Sequence, residues 1–158
     1  MFRPLRRKKN EISAEDAKEL LRTARRGILA MNGDDEYPYA IPINYIYDDT
    51  DGKIYFHGSR CGHKVDALKR CDRICFTVVG AEKVKDEVWA PYVKSAVAFG
   101  RCRLIENEEE TIKTLKKLAM KYYPDEHMVD EEIRRSAKAV QMFEITIEHI
   151  SGKEVQER

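Results

Sequence analysis

The tract Tyr37-Pro-Tyr-Ala-Ile-Pro-Ile-Asn-Tyr-Ile-Tyr47 constrains the fold more than any other part of this chain. Tyrosine and isoleucine suit the pleated, half-buried surface of a strand. Pro42, in the middle of the tract, has no N–H to give to a ladder. It belongs at a sheet edge, at a bulge or where the ladder opens. Asp48 to Gly52 then turns the chain, and Lys53 to His57 returns as the second strand of a hairpin. The aspartates of that turn do not make an EF-hand loop. A loop starting at Tyr47 would need a bidentate glutamate where Gly58 stands.

Strand signals recur along the sequence. Ile28 to Met31 and Ile74 to Val79 are short apolar runs. Lys83 to Ile105 reads as two strands, the second being Lys94 to Leu104. Gln141 to Ile150 closes the series, with Phe143, Ile145, Ile147 and His149 alternating against polar neighbours. Helical patterns are fewer. Ser13 opens one, with Ala17, Leu20, Leu21 and Ala24 on one face and Gly27 as its stop. Gly62 to Arg70 forms a second, with Val65 and Leu68 facing inward. Asn107 caps a third, striped by Ile112, Leu115, Leu118, Ala119 and Tyr122 and ended by Pro124. A short fourth spans Val129 to Ala137. Many strands and few helices predict a mainly β fold, a small β-barrel with peripheral helices.

At 158 residues the chain is long enough for one core. The domain is expected over residues 13–152, between a basic N-terminal arm (1–12) and a C-terminal tail (153–158). Twenty-nine Lys and Arg balance 28 Asp and Glu, so bulk charge does not point to a nucleic-acid partner. No run approaches the roughly 20 apolar residues of a membrane span. The opening MFRPLRRKKNEIS lacks the apolar region of a secretory signal. Cys61, Cys71, Cys75 and Cys102 form no C-x-x-C pair, which speaks for reduced thiols, a cytoplasmic location and no metal site. Arg3, Arg6, Arg7, Lys8 and Lys9 read as a solvated arm.

Chemistry concentrates in Tyr55-Phe-His-Gly-Ser-Arg-Cys-Gly-His-Lys-Val-Asp-Ala-Leu68. A strand runs through Gly58, Ser59 and Gly62 into a helix whose first turn holds His63 and Lys64. Unpaired N–H groups and a positive dipole at a helix start suit an anion. The glycines permit close backbone approach. Ser59 adds a hydroxyl and Lys64 a compact positive charge. Together they would hold a phosphomonoester. An ordinary strand–turn–helix with a surface Lys and His has the same spacing. A lysine in the first turn opposes the dipole, however, at a cost of roughly a few tenths of a kcal/mol that a bound phosphate would reverse. Neither a Walker motif nor a Rossmann fingerprint is present.

YPYAIPINYIYDD, KIYFHGSRCGHKVDAL, ICFTVVG and SAVAFGRCRLIE, in that order, resemble the FMN-binding split-barrel proteins related to pyridoxamine 5′-phosphate oxidase. Within that group they are most similar to the nitroimidazole-resistance-like proteins. The resemblance runs from Met1 to about Ser151, and GHKVDAL after YFHGS is its most specific part. It implies a homodimer with FMN at the subunit interface. It places the strand Ile41, Pro42, Ile43, Asn44 and Tyr45 along the flavin ring. His57, Gly58 and Ser59 match the loop by the ribityl chain and phosphate. His63 and Lys64 stand where the oxidases have an Arg-Lys pair, and Ser95 where they have a flavin-contacting Gln. In the nitroimidazole-resistance group the histidine of GHK lies near cofactor and substrate. His63 is therefore a candidate for either phosphate contact or proton donation.

Trp89 and Tyr92 precede the Ser95 strand and are candidates for stacking on a ring or lining a substrate site, or equally for core or interface packing. His149 reads as a half-buried structural histidine and His127 as solvated. The substrate-binding Arg and His near the oxidases' C-terminus have no clear match, so vitamin oxidation is not expected. The resemblance implies an FMN-dependent oxidoreductase reducing a small electrophile such as a nitroaromatic, with NADH or NADPH as a transient donor. A non-catalytic flavin-binding module, or a haem or deazaflavin variant of the same barrel, is the alternative.

Overall fold

The computed structural model describes residues 2–84 and 91–156. Eight strands form one antiparallel sheet: β1 (Glu11–Ile12), β2 (Arg26–Asn32), β3 (Pro38–Asn44), β4 (Ile46–Asp48), β5 (Lys53–Ser59), β6 (Arg73–Val79), β7 (Tyr92–Ile105) and β8 (Val140–Gln156). Their order is β3-β2-β6-β7-β8-β5-β4, with β1 added to β8. The sheet curls until β3 comes back into contact with β5, and no ladder among the described residues joins them. Four helices pack around it: α1 (Ala14–Thr23), α2 (His63–Arg70), α3 (Glu108–Tyr122) and α4 (Glu126–Ser136). The expected mainly β split barrel is the observed fold.

Two apolar clusters hold it together. Inside the curl, Leu29, Phe56, Phe76, Ala98, Phe143 and Ile145 meet Ala17 and Leu21 of α1 and Val65 and Leu68 of α2. Outside it, Tyr55, Ile105 and Met142 lie under Leu115 and Leu118 of α3 and Val129 and Ile133 of α4. Both faces of β5 and β8 are thus buried here. That is why Met142 and Glu144 are as buried as the alternating Phe143 and Ile145.

Pro42 lies on β3, a terminal strand of the sheet, opposite Ile28 of β2. Its missing N–H therefore costs no inner ladder bond. The Tyr37–Tyr47 tract is nevertheless not one strand of a hairpin. It breaks at buried Tyr45, whose hydroxyl donates to the Leu21 carbonyl at 2.7 Å. Its two halves pair with different strands, β3 with β2 and β4 with β5.

Other boundaries shift for local reasons. α1 ends at Ala24, and Gly27 is not its stop but part of β2. A Cβ at Gly27 would lie 2.2 Å from Cζ of Phe76, so the residue makes room for that ring. Where two strands were expected between Lys83 and Ile105, the described residues hold β7 and an isolated Lys83–Tyr92 bridge. α4 starts three residues before Val129, because the Asp125 side chain caps it through the Met128 N–H at 3.1 Å. Neither terminal boundary marks the end of the sheet. β1 pairs with Gly152 and Lys153, and β8 continues to Gln156. Among the described residues no helix is long and apolar enough to cross a membrane.

Asp48, at the end of β4, ties the sheet to α3. Its burial would raise its pKa. The Lys117 ammonium and the hydroxyl and N–H of Thr50 outweigh that and hold the carboxyl at about 2, below its ordinary 3.8. A carboxyl depressed on folding stabilises the protein above its unfolded pKa, and that gain is lost as pH falls through the folded one. Asp48→Asn is expected to cost about 2 kcal/mol at pH 7. The gap to the parent should close between about pH 4 and pH 2. Urea denaturation at stepped pH measures both.

Candidate functional site

The site is built where β5 leaves the barrel and α2 begins. Three of the four α-helices have side-chain caps: Ser13 on the Asp16 N–H, Asn107 on the Glu110 N–H and Asp125 on the Met128 N–H. α2 has none. Its cap position is Gly62, at φ 113° and ψ 175°, a backbone conformation open essentially only to glycine. The Asp66 N–H closes the first turn on the Gly62 carbonyl at 3.1 Å. The N–H groups of His63, Lys64 and Val65 precede that bond and are the unpaired donors of a helix start.

Lys64 shares this end of the barrel. Its Nζ sits 5.3 Å from the ring centre of Phe56 and 5.1 Å from that of Phe143. Those two core rings stack on each other at 4.7 Å. Burial pulls the Lys64 pKa below its usual value. Cys102, nearby in the core, stays a neutral thiol because burial pushes it up to about 12. Among the described residues no carboxylate pairs with Lys64, whereas Lys53, Lys116 and Lys117 each have one. Gly58 leaves the space: a Cβ there would meet Lys64 Nζ at 2.5 Å. A half-buried ammonium without a counter-ion, beside an uncapped helix start, is chemically a seat for an anion.

The neighbouring candidates take different positions. Ser59 is exposed beside this loop, with its hydroxyl 3.7 Å from Cys61 Sγ. His57 is on the opposite face of β5 from the core ring Phe56, and burial together with Lys64 lowers its pKa. His63 is held towards the β2–β3 turn. Its Nε2 lies 3.3 Å from the Asp34 carboxylate, and its ring stacks on Tyr39 at 4.1 Å. Arg70 holds the same carboxylate at 2.6 Å. That turn carries Asp35 and Glu36 at φ 52° and 64°.

On β3, Ile43 is buried and Ile41 half-buried, while Pro42 and Asn44 are exposed. Asn44 accepts from Arg26 Nε at 3.1 Å. Tyr45 is committed elsewhere. Its side chain is in the core, and its N–H and carbonyl are both bonded to the Tyr122 hydroxyl, at 2.9 and 3.0 Å. Ser95 pairs with Lys153 of β8, whereas Ser59 pairs with Val140. The two serines therefore flank opposite ends of β8, on the order of 40 Å of extended chain apart. Tyr92 bonds the Glu154 carboxylate. Trp89 lies outside the described residues. His149 stacks on Phe2 at 4.8 Å, in keeping with a structural role, and His127 is exposed.

One part of the site was not expected. The α3–α4 hairpin and the sheet enclose a cavity of about 510 Å³, with Asn44 and His57 on the sheet side. The apolar stripe of α3 read as core, and the signal that could have exposed the cavity was the second stripe on α4.

A curled antiparallel sheet whose ends meet without a joining ladder among the described residues, with helices around it, defines a split barrel. The profile of the pyridoxamine 5′-phosphate oxidase family matches residues 13–154. The chain belongs to that family of flavin-binding split barrels. Its fold is similar to a candidate 5-nitroimidazole antibiotic resistance protein from Bacteroides thetaiotaomicron, at TM-score 0.77 and 20% identity, over 91% of this chain and 86% of that one. It is also similar to the flavocytochrome Anf3 from Azotobacter vinelandii, at TM-score 0.79 and 20% identity, over 98% and 73%. A FAD- and haem-binding protein from Mycobacterium smegmatis matches at 0.73 and 22%, over 92% and 72%. Comparison with curated protein sequences finds no match.

Gly58→Ala separates site from fold. The added Cβ meets only the flexible end of Lys64 inside 3.0 Å, with its next non-lysine neighbour, Phe143, at 3.5 Å. The variant should unfold within about 1 kcal/mol of the parent yet bind a phosphorylated flavin at least about tenfold more weakly. Thermal denaturation and a flavin titration read the two effects.

Proposed function

We propose that this protein is an FMN-dependent oxidoreductase that reduces a small electrophile such as a nitroaromatic, with NADH or NADPH as a transient electron donor. The observation that carries the reading is the pairing of an uncapped α2 with a lysine that has no carboxylate partner among the described residues. FMN, when bound, supplies the hydride chemistry, and the protein supplies binding, orientation and electrostatics. Lys64, the α2 N–H groups and the Ser59 hydroxyl hold the phosphate. His57, Gly58 and the β3 residues Ile41 to Asn44 line the rest of the cofactor. Asp34 and Tyr39 fix the His63 imidazole at the β3 side, which favours proton donation to substrate over phosphate contact.

The working unit in this reading is a homodimer. The outward face of β2, β6 and β7 carries exposed apolar side chains, with Ile28 43%, Val79 60% and Phe99, which Phe2 partly covers, 37% exposed. Register puts Thr77 beside Ile28 and Val97, and Cys75 beside Ala30 and Phe99, on the same face. Such a patch suits a second copy of the chain. Ser95 is opposite Val79 and shares that face. A dimer could bring Ser95 of one chain to the α2 cradle of the other, which the two ends of β8 keep apart within one chain. Four free cysteines support a cytoplasmic location.

The test is direct. The purified protein should be yellow, release FMN on denaturation, be reduced by NADH or NADPH without oxygen, and be reoxidised by a 5-nitroimidazole. Lys64→Ala should lower FMN affinity at least about tenfold with little change in the unfolding midpoint. Unchanged occupancy in that variant would remove Lys64 from the phosphate site. Bound FMN that cannot be cycled would leave a flavin-binding module, and a Soret band without flavin a haem protein.

A further inference from the structure

We infer that the cavity between the α3–α4 hairpin and the sheet is the substrate pocket, and that it takes an uncharged apolar ring compound, not a phosphorylated or carboxylated one. The inference rests on the flavin reading for its chemistry, though not for binding itself. At about 510 Å³ the cavity is in the range of small-molecule sites. Leu115 and Ala119 of α3 and Met128 and Ile133 of α4 form its apolar side. Asn44 and His57 form its sheet side, and both are cofactor candidates, so a ligand here adjoins the proposed flavin site.

Charge decides the ligand class. Among the described lining residues there is no lysine or arginine. The nearest cations lie behind the lining, Arg26 donating to Asn44 at 3.1 Å and Arg25 over the Tyr122 ring, and several on the helices have protein partners. Lys116 pairs with Glu126 and Asp130, Lys117 with Asp48, and Lys121 donates to the Ala24 carbonyl at 2.9 Å. Arg134 donates to the Asp130 carbonyl and Arg135 pairs with Glu132. The one charged lining residue is Glu132, which also accepts from the Ser136 hydroxyl at 2.6 Å. Paired with Arg135, it brings no net positive charge to the lining. Burial and the Lys64 charge both lower the His57 pKa, which disfavours a positive charge on that imidazole.

Shape points the same way. Tyr122 is a rigid wall, because its hydroxyl is bonded to the backbone of Tyr45 and to the Arg25 carbonyl. At the mouth, Tyr123 is 68% and Met128 64% exposed. A flat ring offers a stacking partner to the one and an adaptable thioether contact to the other.

Three probes of similar size test this: nitrobenzene, 4-nitrobenzoate and 4-nitrophenyl phosphate, titrated into the purified protein and followed by ligand-observed NMR. Nitrobenzene should bind at least tenfold more tightly than either anion. Ala119→Trp fills the cavity and should weaken nitrobenzene at least tenfold while FMN content stays the same. Met128→Asp, on the exposed rim where folding is unaffected, should weaken it in the same direction. Equal affinity for the three probes, or unchanged nitrobenzene binding in both variants, overturns the inference. Protein that holds FMN but no nitrobenzene refutes the pocket alone. Protein that binds nitrobenzene but no FMN upholds the pocket and refutes the flavin reading.

Discussion

The ammonium of Lys64, half-buried over two stacked core rings and without a carboxylate among the described residues, is the interaction on which the site depends. A charge in that position is costly unless something answers it. The fold takes several steps to place it there. Pairing of β5 with β8 sets Phe56 opposite Phe143, which stacks the rings beneath it. Gly58 leaves the adjoining space to the Lys64 ammonium. Cys102 stays neutral and offers no counter-charge. Gly62 turns the chain through a conformation that other residues avoid, and it delivers α2 without a cap. The other three α-helices have side-chain caps, so the uncapped start beside this half-buried lysine is a local departure.

His63 and Lys64 are adjacent in sequence but divide the work. Lys64 reaches over the barrel end, whereas His63 turns to Asp34 and Tyr39 on the β2–β3 hairpin. This bears on the histidine that replaces an arginine of the oxidases. The α2 start has one half-buried cation, and the His63 side chain is held by Asp34 and Tyr39 instead. On the far side of the molecule the face carrying Ser95 also carries exposed apolar side chains.

Much of the fold was legible because it rests on local patterns. Ser13 and Asn107 announced their helices, and Pro42 announced an edge, a bulge or a ladder opening, of which the edge is the one observed. What was not legible depends on distant contacts. Nothing near Tyr45 says that its hydroxyl will reach Leu21 and its backbone Tyr122, and those bonds split one apparent strand into two. Gly27 reads as a helix stop until the ring of Phe76 is placed against it. The orientation of His63 needed Asp34, 29 residues away. The α3–α4 cavity needed two amphipathic helices to be packed over the same patch of sheet, which periodicity in each cannot show.

The phosphate seat is tested most directly by what happens when only the phosphate is taken away. Parallel titrations with FMN and with riboflavin, which share the ring and ribityl chain, isolate that one group. If Lys64 and the α2 N–H groups hold it, FMN binds on the order of a hundredfold more tightly than riboflavin. Equal affinity for the two would show that this end of the barrel holds no phosphate.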